Sequence, residues 1–243
     1  MGNRKLKVET STSFTAGLVW SPLSGLDLSV DYYKIRVDNQ VQVQDRDQLL
    51  ITEADCRLGV TAAGASVNGS SPTCADAIAR EQTSGIDVSA NYRLQTADAG
   101  NFRFGGNYTW VHRHTRQLHP GDATEDMLAV TFSDATLPRV KSNLTAGWDK
   151  GPWAATVYGN YLGRLANYDN DGWTRATWRF NASASYDITD HLRVSLAVDN
   201  LFDKMPPGDA TWANYPYYDT SWFDSIGRSY YLQFTWKLGG KAL

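Results

Sequence analysis

Between residues 102 and 113 the chain alternates with a period of two. Phe102, Phe104, Gly106, Tyr108 and Trp110 fall on one side, and Arg103, Gly105, Asn107, Thr109 and Arg113 on the other. Successive side chains of a strand point to opposite faces, so the segment predicts a strand with one apolar, aromatic face and one polar face. The pattern recurs at 85–95, where Ile86, Val88, Ala90, Tyr92 and Leu94 oppose Asp87, Ser89, Asn91 and Arg93. It recurs again at 175–188, where Trp178, Phe180, Ala182, Ala184, Tyr186 and Ile188 oppose Arg175, Arg179, Asn181, Ser183, Ser185 and Asp187. Weaker alternations at 12–20, 26–37, 139–149, 153–162, 191–202 and 227–238 bring the number of predicted strands to nine. In 153–162, Ala154 and Leu162 interrupt the polar face. The three clearest alternations last 11 to 14 residues. Strands of soluble proteins run about 5–6 residues, whereas a tilted strand crossing a bilayer needs about 9–11.

The connections alternate as well. Tight, Gly/Pro/Asp-rich turns at Pro22–Gly25, Thr96–Gly100, Asp149–Pro152 and Asp187–His191 separate longer segments at 45–82, 117–137, 163–173 and 204–226. This is the rhythm of periplasmic turns and extracellular loops in bacterial barrels. Apolar-face aromatics gather accordingly in two belts. Trp20, Tyr92, Phe102, Trp148, Trp153, Tyr186 and Trp236 lie near the short-turn ends or the last strand's end, and Tyr32, Trp110, Tyr161, Trp178 and Tyr230 toward the long loops. A soluble sandwich or propeller also alternates, but it accounts for neither the strand lengths nor the unequal connections. The expected fold is all-β: a portion of an antiparallel transmembrane β-barrel, with about nine strands, short periplasmic turns and long extracellular loops.

Composition fits this picture. Glycine (20), tyrosine (13) and tryptophan (9) are abundant, and the aromatics are spread along the 243 residues. The net charge of -3, from 23 basic and 26 acidic residues, leaves no basic stripe for nucleic acid. Apolar runs are far shorter than the ~20 residues of a spanning helix, and no apolar signal core follows Met1.

Several segments resemble the C-terminal half of TonB-dependent receptors. Asn3 to Ser11 resembles the family's N-x-x-L-x-P-E-x-S, with Val8 in the proline position. Asp199-Asn200-Leu201-Phe202-Asp203-Lys204 is similar to the x-N-L-F-D-K that ends the penultimate strand. Ile226-Gly227-Arg228-Ser229-Tyr230 is similar to the x-G-R-x-[YF] that opens the last one. The resemblance implies residues 1–238 as the C-terminal part of the barrel and residues 239–243 as a short tail, with Leu238 where the family usually ends on an aromatic. It further implies a bacterial outer-membrane receptor, surrounded by lipid, that imports a scarce small-molecule nutrient such as a siderophore, cobalamin or saccharide. Its TonB complex would engage through an N-terminal plug region with no counterpart among these residues. A passive porin-like or structural barrel is the alternative. Nine strands of a barrel of about 22 would be an incomplete wall, because an odd antiparallel count cannot close on itself. Such a wall is expected to need further strands or a partner fragment to transport anything.

No hydrolase, phosphate-loop or metalloprotease motif is present, so neither an enzyme nor a cofactor is expected. His112 and His114 lie two apart on one predicted strand face with His119 beyond, and are read as an interfacial pair and not as metal ligands. Asp87, Arg93, Arg103, Asn107, Arg113, Lys141, Arg179 and Asp187 are expected to line the lumen. The last long loop concentrates Trp212, Tyr215, Tyr217, Tyr218, Trp222 and Phe223 among glycines, prolines and aspartates. Aromatics with polar tips make contact surface at low entropic cost, so these six are the candidate ligand-binding residues. Cys56 and Cys74 share one polar segment without a histidine between them, which favours a disulfide in an extracellular loop. Closing a loop of about 19 residues should restrain it by roughly 3 kcal/mol in the chain-entropy model. Thiol labelling of unreduced, exported protein should find neither cysteine; stoichiometric labelling of both would rule the bridge out.

Overall fold

The computed structural model describes residues 8–40, 79–117, 123–132 and 135–238. Cys56, Cys74, His119, the first residues of the Asn3–Ser11 segment and the tail 239–243 lie outside them. In chain order the strands are β1 (Thr10–Leu23), β2 (Leu26–Gln40), β3 (Ala79–Thr96), β4 (Gly100–Gln117), the short β5 (Glu125–Asp126), β6 (Thr131–Phe132) and β7 (Ala135–Thr136), then β8 (Val140–Lys150), β9 (Trp153–Leu162), β10 (Thr177–Thr189), β11 (Leu192–Asp199) and β12 (Ser229–Trp236). Nine of them form one antiparallel meander, β1-β2-β3-β4-β8-β9-β10-β11-β12; β5 adds to β4, and β6 and β7 pair with each other. Each long strand overlaps one of the nine alternating segments. Among the described residues β1 and β12 are the two edges of the sheet.

The register carries the two-faced pattern across the sheet. Phe102, Trp148, Ala155, Ala184, Leu196 and Leu232 are successive partners from β4 to β12, an apolar rung on the outer face. Ser29, Ser89, Asn107, Asn143, Asn160 and Arg179 form a polar rung on the inner face from β2 to β10. Outer-face Leu18, Val30, Leu144, Val157 and Leu196 stay exposed, in keeping with the two-faced pattern expected of a barrel wall. Outer aromatics touch near both rims: Trp153 and Tyr186 centroids lie 4.4 Å apart at the turn end, and Tyr161 and Trp178 5.1 Å apart at the loop end. At the first hairpin, Leu23 pairs with Leu26 and Gly25 takes φ 83°, the left-handed conformation a two-residue turn requires.

Three features depart from the alternation. β3 and β4 are each 18 residues long, beyond the predicted 85–95 and 102–113. At the loop end their added residues, 80–84 and 114–117, are polar on both faces, so backbone pairing continues where hydropathy gives no signal. β11 stops at Asp199 instead of residue 202, because Asn200 turns the chain with φ 52°. A bulge between Ser84/Gly85 of β3 and Val111/Arg113 of β4 leaves His112 as the extra residue. His112 remains outside beside Trp110, at 5.3 Å between ring centroids. His114, opposite Thr83, turns inward and places its Nε2 2.5 Å from Glu81. The two histidines therefore do not share a face. Arg113, opposite Ser84, sits outside and not on the lumen side where unbroken alternation would put it.

The last long connection leaves and re-enters the sheet through a neck built from the two motifs near the chain's end. The Asn200 side chain is buried; its Oδ1 accepts the Lys204 N–H at 2.7 Å and its Nδ2 donates to the Lys204 carbonyl at 3.0 Å. The Asn200 N–H donates to Asn181 Oδ1 (2.9 Å) and the Leu201 N–H to the Phe180 carbonyl (2.6 Å). Asp203, at φ 53°, accepts the Arg228 N–H on Oδ1 at 2.9 Å. A Cβ on Gly227 would come within 2.8 Å of that same oxygen. Asp203→Ala should therefore destabilise the neck by about 1 kcal/mol or more, through a lost acceptor and a strained left-handed alanine. Asp203→Asn, which keeps both, should stay near wild type. The temperature at which the folded gel band of the whole receptor converts to the unfolded one would measure this, and equal shifts for both variants would refute it.

Candidate ligand-binding site

The connection between β11 and β12, residues 200–228, folds back over the inner face. Asp224 fastens it to the wall, with Oδ2 accepting from Arg179 Nη1 at 3.0 Å and Oδ1 from the Ile226 N–H at 3.0 Å. The Trp222 ring lies 5.6 Å from the Lys141 ammonium, within cation–π range. Beneath this strap is a cavity of about 380 Å³. Trp222, Phe223 and Asp224 line it from the loop, and Asn107, Lys141, Asn143, Asn160 and Arg179 from the wall, with Lys204, Met205 and Pro206 at the neck. Its size is that of a small-ligand site, and it combines apolar and aromatic surface with a few convergent polar groups. Lys141, Arg179 and Lys204 are cations and Asp224 is an acid, so the lining carries an excess of positive charge.

The six candidate aromatics of this connection separate into four positions. Trp222 and Phe223 line the cavity, and Tyr218 is buried within the loop. Trp212 meets Tyr168 of the preceding long connection at 5.1 Å. Tyr215 and Tyr217 are 83% and 54% exposed and touch each other at 6.1 Å, forming an outer rim. The two long connections are joined by a buried acid, Asp209. Its Oδ2 accepts the Tyr168 N–H at 2.9 Å, its Oδ1 accepts from Thr211 N and Oγ1 at 2.9 and 2.7 Å, and Thr211 Oγ1 accepts the Asp169 N–H at 3.3 Å.

The charges expected in the lumen also divide. At the turn end Arg103 pairs with Asp149, and Arg193 makes a two-pronged bond to Asp187 at 2.6 and 2.8 Å, while Arg93, opposite Arg103, forms no ion pair among the described residues. Nearer the loops, Asp87 accepts the Thr109 hydroxyl at 2.7 Å, while Asn107, Lys141 and Arg179 face the cavity. Asn143, Asn160, Lys204 and Asp224 belong to the same lining and were not among the expected residues. The polar positions of β8 and β9 held the signal for the two asparagines.

Residues 1–201 match the family model described as TonB dependent receptor-like, beta-barrel. An iron-regulated outer membrane virulence protein of Vibrio cholerae serotype O1 is 24% identical over 237 residues, which are 95% of this chain and 31% of that protein. A probable TonB-dependent receptor of Bordetella pertussis, BfrD, is 42% identical over 57 residues, 21% of this chain and 7% of the relative. Two solved structures share the fold. The pyoverdine receptor FpvA of Pseudomonas aeruginosa PAO1 has a TM-score of 0.59 at 16% identity, covering 96% of this chain and 30% of its own. The copper transporter OprC has a TM-score of 0.57 at 15% identity, covering 96% and 32%. The chain thus spans about a third of the length of the relatives that it matches almost throughout. Its nine-stranded meander and its family match together establish that it belongs to the TonB-dependent receptor β-barrel family, which comprises outer-membrane transport receptors and not enzymes.

Proposed function

We propose that residues 1–238 form the C-terminal wall and outer loops of a receptor that imports a scarce nutrient with energy supplied through TonB. A ferric siderophore is the foremost ligand class, ahead of cobalamin or a saccharide. The observation that carries this reading is the last long connection folded over a cavity of mixed polar and apolar lining, with Trp222 and Phe223 facing into it and Tyr215 and Tyr217 exposed on the loop outside. A passive pore has no need of such a pocket, whereas a receptor must hold its solute before energised passage. The name of the Vibrio relative, an iron-regulated outer membrane protein, adds weight to iron. In this reading Tyr215 and Tyr217 meet the solute first, and Trp212 and Tyr218 stiffen the loop. Trp222 and Phe223 contact the solute inside. The TonB complex would act through a plug region outside this chain, and lipid would cover the outer face.

Cells carrying the whole receptor should accumulate iron from at least one member of a ferric-siderophore panel, and only when TonB is present. The combined Trp212→Ala, Tyr217→Ala and Trp222→Ala change should weaken binding and uptake of that siderophore by about tenfold or more, as the loss of aromatic contact anchors commonly does. Uptake that persists without TonB would favour the passive pore. Unchanged affinity and uptake in the triple variant would remove the loop from ligand capture.

A further inference from the structure

At the turn end each inner-face arginine of β4 and β11 has a carboxylate partner, Asp149 or Asp187. At the loop end the balance is different. Arg179 gives Nη1 to Asp224, while its Nε–H is buried and has no acceptor among the described residues. Lys141 rests over the Trp222 ring and forms no ion pair among the described residues. That nitrogen is closed to solvent, whereas the Arg179 side chain as a whole stays about one-third exposed, so the donors within reach of a solute are the terminal guanidinium N–H groups.

We propose that the wall beneath the last long loop is an oxyanion site, in which Arg179 and Lys141 bind a carboxylate or phosphate group of a small solute. Asp224 already displays the chemistry: one carboxylate sits on one nitrogen of the guanidinium. The planar guanidinium has five N–H donors and accepts oxyanions in a two-pronged manner, so a second anion has donors to use. Lys141 adds a point charge, since cation–π contact with Trp222 leaves its N–H donors available. Along the polar rung Asn107, Asn143 and Asn160 run up to Arg179, offering neutral amide donors beside the two cations. Asp224 is the internal competitor of any such anion. The site deepens the receptor reading and rests on it for the view that the anion belongs to an imported solute.

The test uses the whole receptor in detergent at low ionic strength, titrated calorimetrically with citrate and, separately, inorganic phosphate. Wild type should bind at least one; citrate alone assigns a carboxylate solute, and phosphate alone a phosphate solute. Arg179→Gln and Lys141→Gln should each weaken binding by about tenfold, the scale of one charge-assisted hydrogen bond. Asp224→Asn should tighten it, because the competing carboxylate is gone. Each variant is checked for its folded gel band. The proposal is overturned if neither anion binds to wild type, if Arg179→Gln binds as wild type does, or if Asp224→Asn loses affinity as Arg179→Gln does. That last result would make the ion pair a strap and nothing more. TonB-dependent siderophore uptake, measured on the same proteins, separates the two ideas. Intact uptake without anion binding sinks only this site, and anion binding without TonB-dependent uptake sinks only the receptor reading.

Discussion

Lipid cannot hydrogen-bond to a peptide group, and the architecture follows from that one deficiency. Every N–H and C=O that crosses the hydrocarbon must find its partner on a neighbouring strand, which commits the crossing segments to continuous pairing. The sheet then has no need of a buried apolar face, since lipid solvates one side directly. The apolar rung from Phe102 to Leu232 therefore remains open, and the buried apolar side chains lie elsewhere. Met127, Leu128, Leu165, Ala166 and Tyr218 are the buried apolar set among the described residues, and all five belong to long connections. Burial by the hydrophobic effect is a property of the loops here, where water is the solvent.

Loops that pack in this way must leave the sheet at defined angles, which is the work of the two motifs near the chain's end. Asn200 and Asp203 take left-handed backbone conformations that asparagine and aspartate tolerate better than most residues. Their side chains then bind the backbone of Lys204 and Arg228, so that departure and return share one hydrogen-bonded neck. Gly227 is small because Asp203 is already there. The neck directs the following residues inward, and Trp222 and Asp224 reach the wall as a result.

All nine long strands and the identity of their two faces were legible in the sequence, because a bilayer imposes a period that hydropathy reports directly. The polar extensions of β3 and β4 were not, since strand pairing in water needs no apolar face. The bulge at His112 was equally silent: one inserted residue changes no composition, yet it moves Arg113 outward and His114 inward. At the candidate site, Trp222, Phe223, Lys141 and Arg179 were recognisable one by one. Their meeting was not, because it depends on the return path of a connection whose residues carry no period. For the same reason Trp212, Tyr215, Tyr217 and Tyr218 read as one aromatic cluster but occupy loop interior and rim.

Asp209 holds both the backbone of its own loop and that of the loop before it, and this sets how the receptor's outer surface can change. Exchanging one of these segments alone, by recombination or by design, would separate Asp209 from the Tyr168 N–H and Thr211 from the Asp169 N–H. The two connections consequently form one packed unit, and a graft that moves residues 163–176 and 200–228 together keeps these contacts.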